Sequence, residues 1–348
     1  MSKRVLGSLA RIADFESTSF DVQALPRSDW ETGDYVQADV VGKPTRLYHI
    51  ECTTGEMIGV EPGDRVIGAF GRRAATLEGV GSWMEIDGGE MNAMTSAGLF
   101  GRFTSVSKLL PRPLDLKYTG HVVRAGGKVR MRDFALEATP RELDIPTILM
   151  VGTSMSAGKT MVGKFACQIL SDLGFRVIGI KLTGAGRYRD ILSFRDHGAA
   201  EVYDFVDAGL PSTVVSEEEF RRAIRPLLSH IASRKADFMV VEAGASPLEP
   251  YNGAAAIEEL GANVRCCILC ATDPYAVVGV QRAYGLRPDL VAGPATNTTA
   301  ALDLVEKLTG LPGINIIDPD QLPLFRDFLV HILHIDADTV ARHARGSA

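Results

Sequence analysis

The chain has 348 residues, 46% hydrophobic and 23% charged, with 35 Gly, 17 Pro and a formal net charge of −6. That apolar fraction excludes a wholly disordered chain, and at roughly 100–200 residues per domain the length suggests two domains. The mild acidity offers no broad footprint for nucleic acid or an anionic membrane, and no apolar run reaches the ~18 residues of a membrane span.

In chain order, Arg11, Asp14 and Glu16 interrupt any signal-peptide core, and the five cysteines, an odd number, read as reduced thiols. The expected location is therefore cytoplasmic. Residues 1–145 carry short β-rich runs, at Asp34–Val41, Arg65–Phe70, His121–Arg124 and Lys128–Arg132, punctuated by Gly, Pro and Asp turns. They predict a smaller β-rich domain, barrel- or sandwich-like, with Trp30 and Trp83 in its core. A polar linker, Glu137–Ile145, contains Pro140. Over 146–348 apolar strands alternate with helix-length segments, the pattern of an α/β domain with a parallel sheet. The predicted strands are Thr147–Val151, Arg176–Ile180, Phe238–Val241, Cys266–Ala271, Leu290–Ala292 and Ile314–Ile317. Cys267 and Cys270 have redox-motif spacing but lie inside an apolar strand, and His331 and His334 suit a partly buried helix face better than a metal site.

The strongest chemical signal is Gly152-Thr-Ser-Met-Ser-Ala-Gly158-Lys159-Thr160, set between a strand and the helix predicted over Met161–Leu173. Backbone N–H groups of such a loop, with the N-terminus of the next helix, form a concave anion site. Gly152, Thr153, Ser154, Met155, Ser156, Ala157, Gly158, Lys159, Thr160 and Met161 are the expected cofactor-binding residues. Lys159 reaches toward terminal phosphates and Thr160 offers a hydroxyl to Mg²⁺.

Gly152 stands five residues before Gly158, one more than the usual spacing, and this longer loop resembles that of dethiobiotin synthetases. Ile178-Gly-Ile-Lys181-Leu is similar to their second-strand Lys-Pro segment, with Leu182 in place of proline. The resemblance implies that Lys181 joins Lys159 as a catalytic cation. Val240-Val-Glu242-Ala-Gly244-Ala resembles the stretch whose glutamate helps hold Mg²⁺, with Ala243 and Ala245 in place of glycines. It further implies Thr160, Glu242 and one aspartate as metal ligands, Asp196 being preferred over Asp190, and Asn297 beside the nucleobase. Asp237, at the other end of its strand, reads as structural. The segment from Glu242 through Ser246, Pro250 and Tyr251 to Gly253 also resembles the P-loop family that includes D-glutamate N-acetyltransferases.

These features point to an ATP- and Mg²⁺-dependent enzyme that activates a small carboxylate or carbamate by phosphoryl transfer, ligase- or kinase-like. One alternative is a CoA-dependent N-acyltransferase whose loop holds the CoA phosphates. Another is a nucleotide-gated switch or assembly ATPase. Arg187, Ser246 and Tyr251 are the substrate candidates. By resemblance a homodimer is expected, with Ser246–Gly253 as its contact loop, a small-molecule substrate, and neither nucleic acid nor membrane as partner.

Overall fold

The structure, a computed structural model, describes residues 2–42 and 49–336. Two compact units divide it. One holds the chain up to Glu137 together with Gly184–Arg189 and Phe205–Leu227; the other holds Ala138–Thr183, Asp190–Asp204 and the chain from Leu228 onward. A single cut at 145/146 does not capture this interleaving, because two later segments group with the first unit.

The first unit contains β1 (Arg4–Leu6), β2 (Asp21–Gln23), β3 (Tyr35–Val40), β4 (His49–Glu51), β5 (Met57–Gly59) and β6 (Arg65–Phe70). It continues with β7 (Arg72–Ala75), β8 (Gly79–Ser82), β9 (Glu90–Thr95), β10 (Leu99–Val106), β11 (Leu114–Arg124) and β12 (Gly127–Lys128). Strands β6, β3, β11, β9 and β10 pair in that order, and β10 returns to β6 through Leu99 opposite Ala69 and Phe100 opposite Phe70. The five strands thus close into a small barrel, which leaves no edge on that ring. Closure needs Gly68, where a Cβ would stand 2.1 Å from the Gly98 carbonyl oxygen. Val36, Ala38, Val66, Phe70, Phe100 and Leu116 fill the core. Trp30 stacks on Phe70 at 4.7 Å and Trp83 at 5.9 Å, so both tryptophans serve packing, as expected.

The two later segments are tied in by polar contacts. The buried Glu51 carboxylate accepts hydrogen bonds from the Ser8 hydroxyl and from the backbone N–H groups of Tyr188, at 2.6 Å, and Arg189, at 3.2 Å. Ser212 donates to the Arg72 carbonyl at 2.6 Å, and Arg11 pairs with Asp207 at 2.9 Å.

The second unit is built on six strands: β13 (Thr147–Gly152), β14 (Val177–Thr183), β15 (Glu201–Asp204), β16 (Phe238–Ala243), β17 (Val264–Cys270) and β18 (Leu290–Ala292). All pair in parallel, in the order β15-β14-β16-β13-β17-β18. The α-helices among the described residues are α1 (Lys159–Asp172), α2 (Tyr188–Asp196), α3 (Glu217–Ala232), α4 (Gly253–Leu260), α5 (Pro274–Tyr284), α6 (Thr299–Thr309) and α7 (Leu322–Ile332). β13, β14 and β16 are buried along their whole length, which is why they read as mostly apolar rather than alternating runs, with Lys181 and Glu242 as exceptions near their carboxyl ends. Helix α1 buries Val162, Ala166 and Leu170, one stripe at four-residue spacing. Gly163 on the same side admits the Phe194 ring, which a Cβ would meet at 2.6 Å.

Three expectations change here. Ile314–Ile317 is not a strand; one isolated parallel bridge, Val291 to Gly313, stands there. The short, polar β15 was not foreseen. His331 and His334 are exposed, and α7 buries Phe325 and Leu329 instead. Cys266, Cys267 and Cys270 are free thiols buried in β17, matching the packing reading of that strand. Among the described residues no helix is long and apolar enough to cross a membrane.

Candidate functional site

At the carboxyl end of β13 the chain enters the glycine-rich loop and leaves it into α1, a 14-residue helix whose N-terminus carries partial positive charge. Two residues turn the loop through left-handed backbone, Ser156 at φ 62° and Gly158 at φ 95°. Thr153 N–H donates to the Cys270 carbonyl at 3.0 Å, and the Thr153 hydroxyl accepts from Thr272 N–H at 3.2 Å, pinning the loop's first residues to the end of β17. Ser154 and Ala157 are buried, Ser156 is exposed, and Met161 presents its side chain to solvent.

Lys159 is buried and folds back over the loop, its Nζ donating to the Ser154 carbonyl at 2.8 Å. Burial drives its pKa below the ordinary lysine value, with the Glu242 carboxylate opposing that shift. Gly152 leaves room for this arrangement, because a Cβ there would stand 2.4 Å from Lys159 Nζ and 2.9 Å from the Ala245 carbonyl oxygen. The same crowding pushes the Cys270 thiol up to about 12, by burial first, so it is no nucleophile near neutral pH.

The neighbouring strands add the rest. Register places Glu242 of β16 opposite Met150 of β13 on one side and Lys181 of β14 on the other. Glu242 divides its oxygens: Oε2 accepts from the Thr160 hydroxyl at 2.8 Å, while Oε1 lies 3.8 Å from Lys181 Nζ. Lys181 also donates to Asp190 Oδ2. Burial alone would lower the Lys181 pKa, but Asp190 and Glu242 outweigh it and hold the ammonium above its ordinary value. Thr160, Glu242, Lys181 and Asp190 therefore form one continuous chain of contacts beside Lys159.

Asp196 is exposed at the far end of α2, whereas Asp190, in its first turn, reaches Lys181. Asp237 accepts from the Arg176 backbone N–H at 2.7 Å at the amino end of β16, away from the loop. Tyr251 is fully buried within its own chain and cannot offer apolar surface to a second subunit. Ser246 is buried as well, its hydroxyl accepting from Leu248 N–H at 3.3 Å. Arg187 is exposed and groups with the barrel unit. Asn297 is exposed in the turn after β18.

One contributor escaped notice. Gly293, φ 86°, packs so closely on the phosphate loop that a Cβ would stand 2.3 Å from the Ala157 carbonyl oxygen. Its signal was the Gly293-Pro294 pair at the carboxyl end of a predicted strand, where ligand-side turns fall.

As a metal test, Thr160 and Glu242 supply only oxygen donors, the type a hard divalent cation such as Mg²⁺ takes. Among the described residues no group of three or more His, Cys, Asp and Glu side chains could hold a metal alone. Two protein oxygens suffice when Mg²⁺ keeps its waters and takes phosphate oxygens as well.

A parallel sheet delivers this loop from its middle strand into a helix N-terminus, the arrangement of a phosphate-binding loop in an α/β fold. No protein-family model matches the chain, and no curated protein matches it either. Among solved structures, HypB from Helicobacter pylori in complex with nickel is similar over 54% of this chain and 86% of its own, at 18% identity and a TM-score of 0.35. The hydrogenase maturation factor HypB of Archaeoglobus fulgidus aligns at 14% identity and a TM-score of 0.37, over 56% of this chain and 92% of its own. A DUF1611 family protein from Anabaena variabilis aligns at 15% identity and a TM-score of 0.34, over 56% of this chain and 60% of its own.

Proposed function

We propose that the chain binds a nucleoside triphosphate with Mg²⁺ on Gly152–Thr160 and spends its γ-phosphoryl group on a small anionic substrate, a carboxylate or carbamate. The observation that carries this reading is the Thr160–Glu242 contact of 2.8 Å at the loop, with Lys181 on the other oxygen of the same carboxylate. Loop N–H groups and Lys159 would cradle phosphate oxygens, and Thr160 and Glu242 would hold the cation. Mg²⁺, when bound, neutralises charge on the β- and γ-phosphates. In the transfer, a substrate carboxylate oxygen forms a bond to the γ-phosphorus as the bond to the bridging oxygen breaks. The nucleoside diphosphate leaves with that electron pair, and an acyl phosphate remains for attack by an amine or for ring closure. No protein nucleophile is required: positioning and electrostatic neutralisation by Lys159 and Lys181 do the catalysis.

The test is thermal stabilisation by ATP, GTP and acetyl-CoA, each with Mg²⁺ and with EDTA, followed by product analysis. The reading expects Mg²⁺-dependent stabilisation by a triphosphate, ADP or GDP as product, and loss of turnover in Thr160→Val. Stabilisation by acetyl-CoA that survives EDTA and Thr160→Val, with release of free CoA, would replace it with acyl transfer. Triphosphate hydrolysis that no small carboxylate accelerates would favour a nucleotide-gated switch.

A further inference from the structure

Lys181 is a buried lysine amid three carboxylates. It donates to Asp190, lies 3.8 Å from Glu242, and pairs in register with the buried Asp204 of β15. Glu242 already serves the Thr160 hydroxyl through Oε2, so only Oε1 faces the ammonium. That leaves Asp190 as the group in direct hydrogen bond with it. Lysine's flexible four-carbon stem carries large rotamer entropy, so a fixed ammonium needs such a partner.

Building on the nucleotide reading above, we propose that Asp190 is a positioning residue: it anchors Lys181 as a fixed cation beside Glu242, aimed at the terminal phosphate, and does not ligate the metal. Removing either partner costs the site the same fixed cation, so the two side chains act as one unit. With Lys181 gone, the Glu242 and Asp190 carboxylates face a polyanionic ligand without that cation. With Asp190 gone, the ammonium is drawn onto Glu242 and competes with Thr160 for it.

The experiment is calorimetric titration of the full-length protein with ATP and with ADP, each in Mg²⁺ and in EDTA. It compares the parent with Asp190→Asn, Asp190→Glu, Lys181→Met and the Asp190→Asn/Lys181→Met double variant. The parent should prefer ATP over ADP. That preference should fall about 10-fold in Asp190→Asn and in Lys181→Met alike, about the worth of one charged contact. The double variant should lose no more than about 2-fold beyond either single one, because coupled residues are not additive. Asp190→Glu should restore part of the preference, and the affinity ratio between Mg²⁺ and EDTA should match the parent's in Asp190→Asn. Loss of that Mg²⁺ effect in Asp190→Asn would make Asp190 a metal ligand and overturn the assignment. So would independent losses multiplying in the double variant, or an unchanged preference in Lys181→Met, which decides the matter even if Asp190→Asn does not fold. A parent that binds no nucleotide overturns the nucleotide reading itself and this assignment with it, a failure visible before any variant is compared.

Discussion

Lys159 and Gly152 show how the phosphate loop trades stability for charge. A fully buried ammonium whose protonation burial disfavours is held by one carbonyl, that of Ser154. Replacing such a group with an apolar side chain of similar length is often neutral or stabilising, because the desolvation cost disappears. Lys159→Met should therefore melt at or above the parent's temperature while losing more than about 100-fold in triphosphate affinity, as expected when a buried charged contact to phosphate is removed. Calorimetry with and without MgATP checks both halves, and a variant that is markedly less stable would show the ammonium to be structural. Gly152 is a separate case. Its backbone does not require glycine; the space does. In Gly152→Ala the lysine end can swing away, but the Ala245 carbonyl, 2.9 Å from the new methyl, belongs to the backbone. Overpacking of this kind costs about 1–3 kcal/mol. The variant should show that loss in denaturant unfolding together with weakened nucleotide binding, and unchanged affinity would mean Lys159 is free to reach phosphate from elsewhere.

Strand β15 and the turn after β16 are elements that composition hides. Glu201-Val-Tyr-Asp204 has too few apolar residues to read as a strand, yet it forms the edge of the parallel sheet. Side chains hold it there. Glu201 accepts from Arg176 at 2.8 Å and from the Tyr203 hydroxyl at 2.5 Å, and lies 3.3 Å from Arg234. Ile314–Ile317 is the converse, β-branched and apolar but lacking a strand to pair with along its length. Pattern detects burial, not pairing partners. For Glu201, burial pushes the carboxyl up, but the Tyr203 and Arg176 hydrogen bonds and the Arg234 charge prevail, leaving its pKa below the ordinary 4.5. A lowered carboxyl pKa adds stability that is fully present above 4.5 and disappears as pH falls through the folded-state value. Glu201→Gln should thus cost about 1 kcal/mol at neutral pH, little for a partly exposed pair, and nothing at pH 2–3, where the two melting curves converge. A gap that persists in acid would assign the loss to packing. In the turn after β16, Ala245 sits at φ 60°, where an L side chain costs roughly 1–2 kcal/mol. Ala245→Gly should raise the melting temperature by about 2 °C, and a lower one would mean the methyl packs usefully.

Local sequence carried the phosphate loop, Lys159 and Thr160, because they lie together in one motif that a strand and a helix frame. It did not carry the aspartate. Which carboxylate of α2 meets Lys181 depends on where that helix begins, and its first N–H groups are capped by Glu51, more than a hundred residues earlier. The same distance effect defeats a contiguous domain boundary. Phe205, Val206 and Leu210 are buried, and they belong to a unit formed mainly by the first 137 residues. Asp207 pairs with Arg11 and accepts from Leu136 N–H at 2.8 Å, and Gly209 approaches Arg132 so closely that a Cβ would stand 2.8 Å from its Cα. A chain cut at the linker and begun at Ala138 keeps the whole parallel sheet but loses every one of those partners. Exposed apolar side chains and unsatisfied N–H groups at the start of α2 each carry a cost of roughly 1–3 kcal/mol, and several together exceed the net stability that an ordinary domain has to spare, about 5–15 kcal/mol. Residues 138–348 expressed alone should therefore bind the hydrophobic dye ANS, melt without a cooperative transition and fail to bind MgATP, whereas the intact chain melts cooperatively. A soluble, monodisperse fragment that unfolds in one sharp transition and binds nucleotide as the full chain does would show that the second unit is self-sufficient.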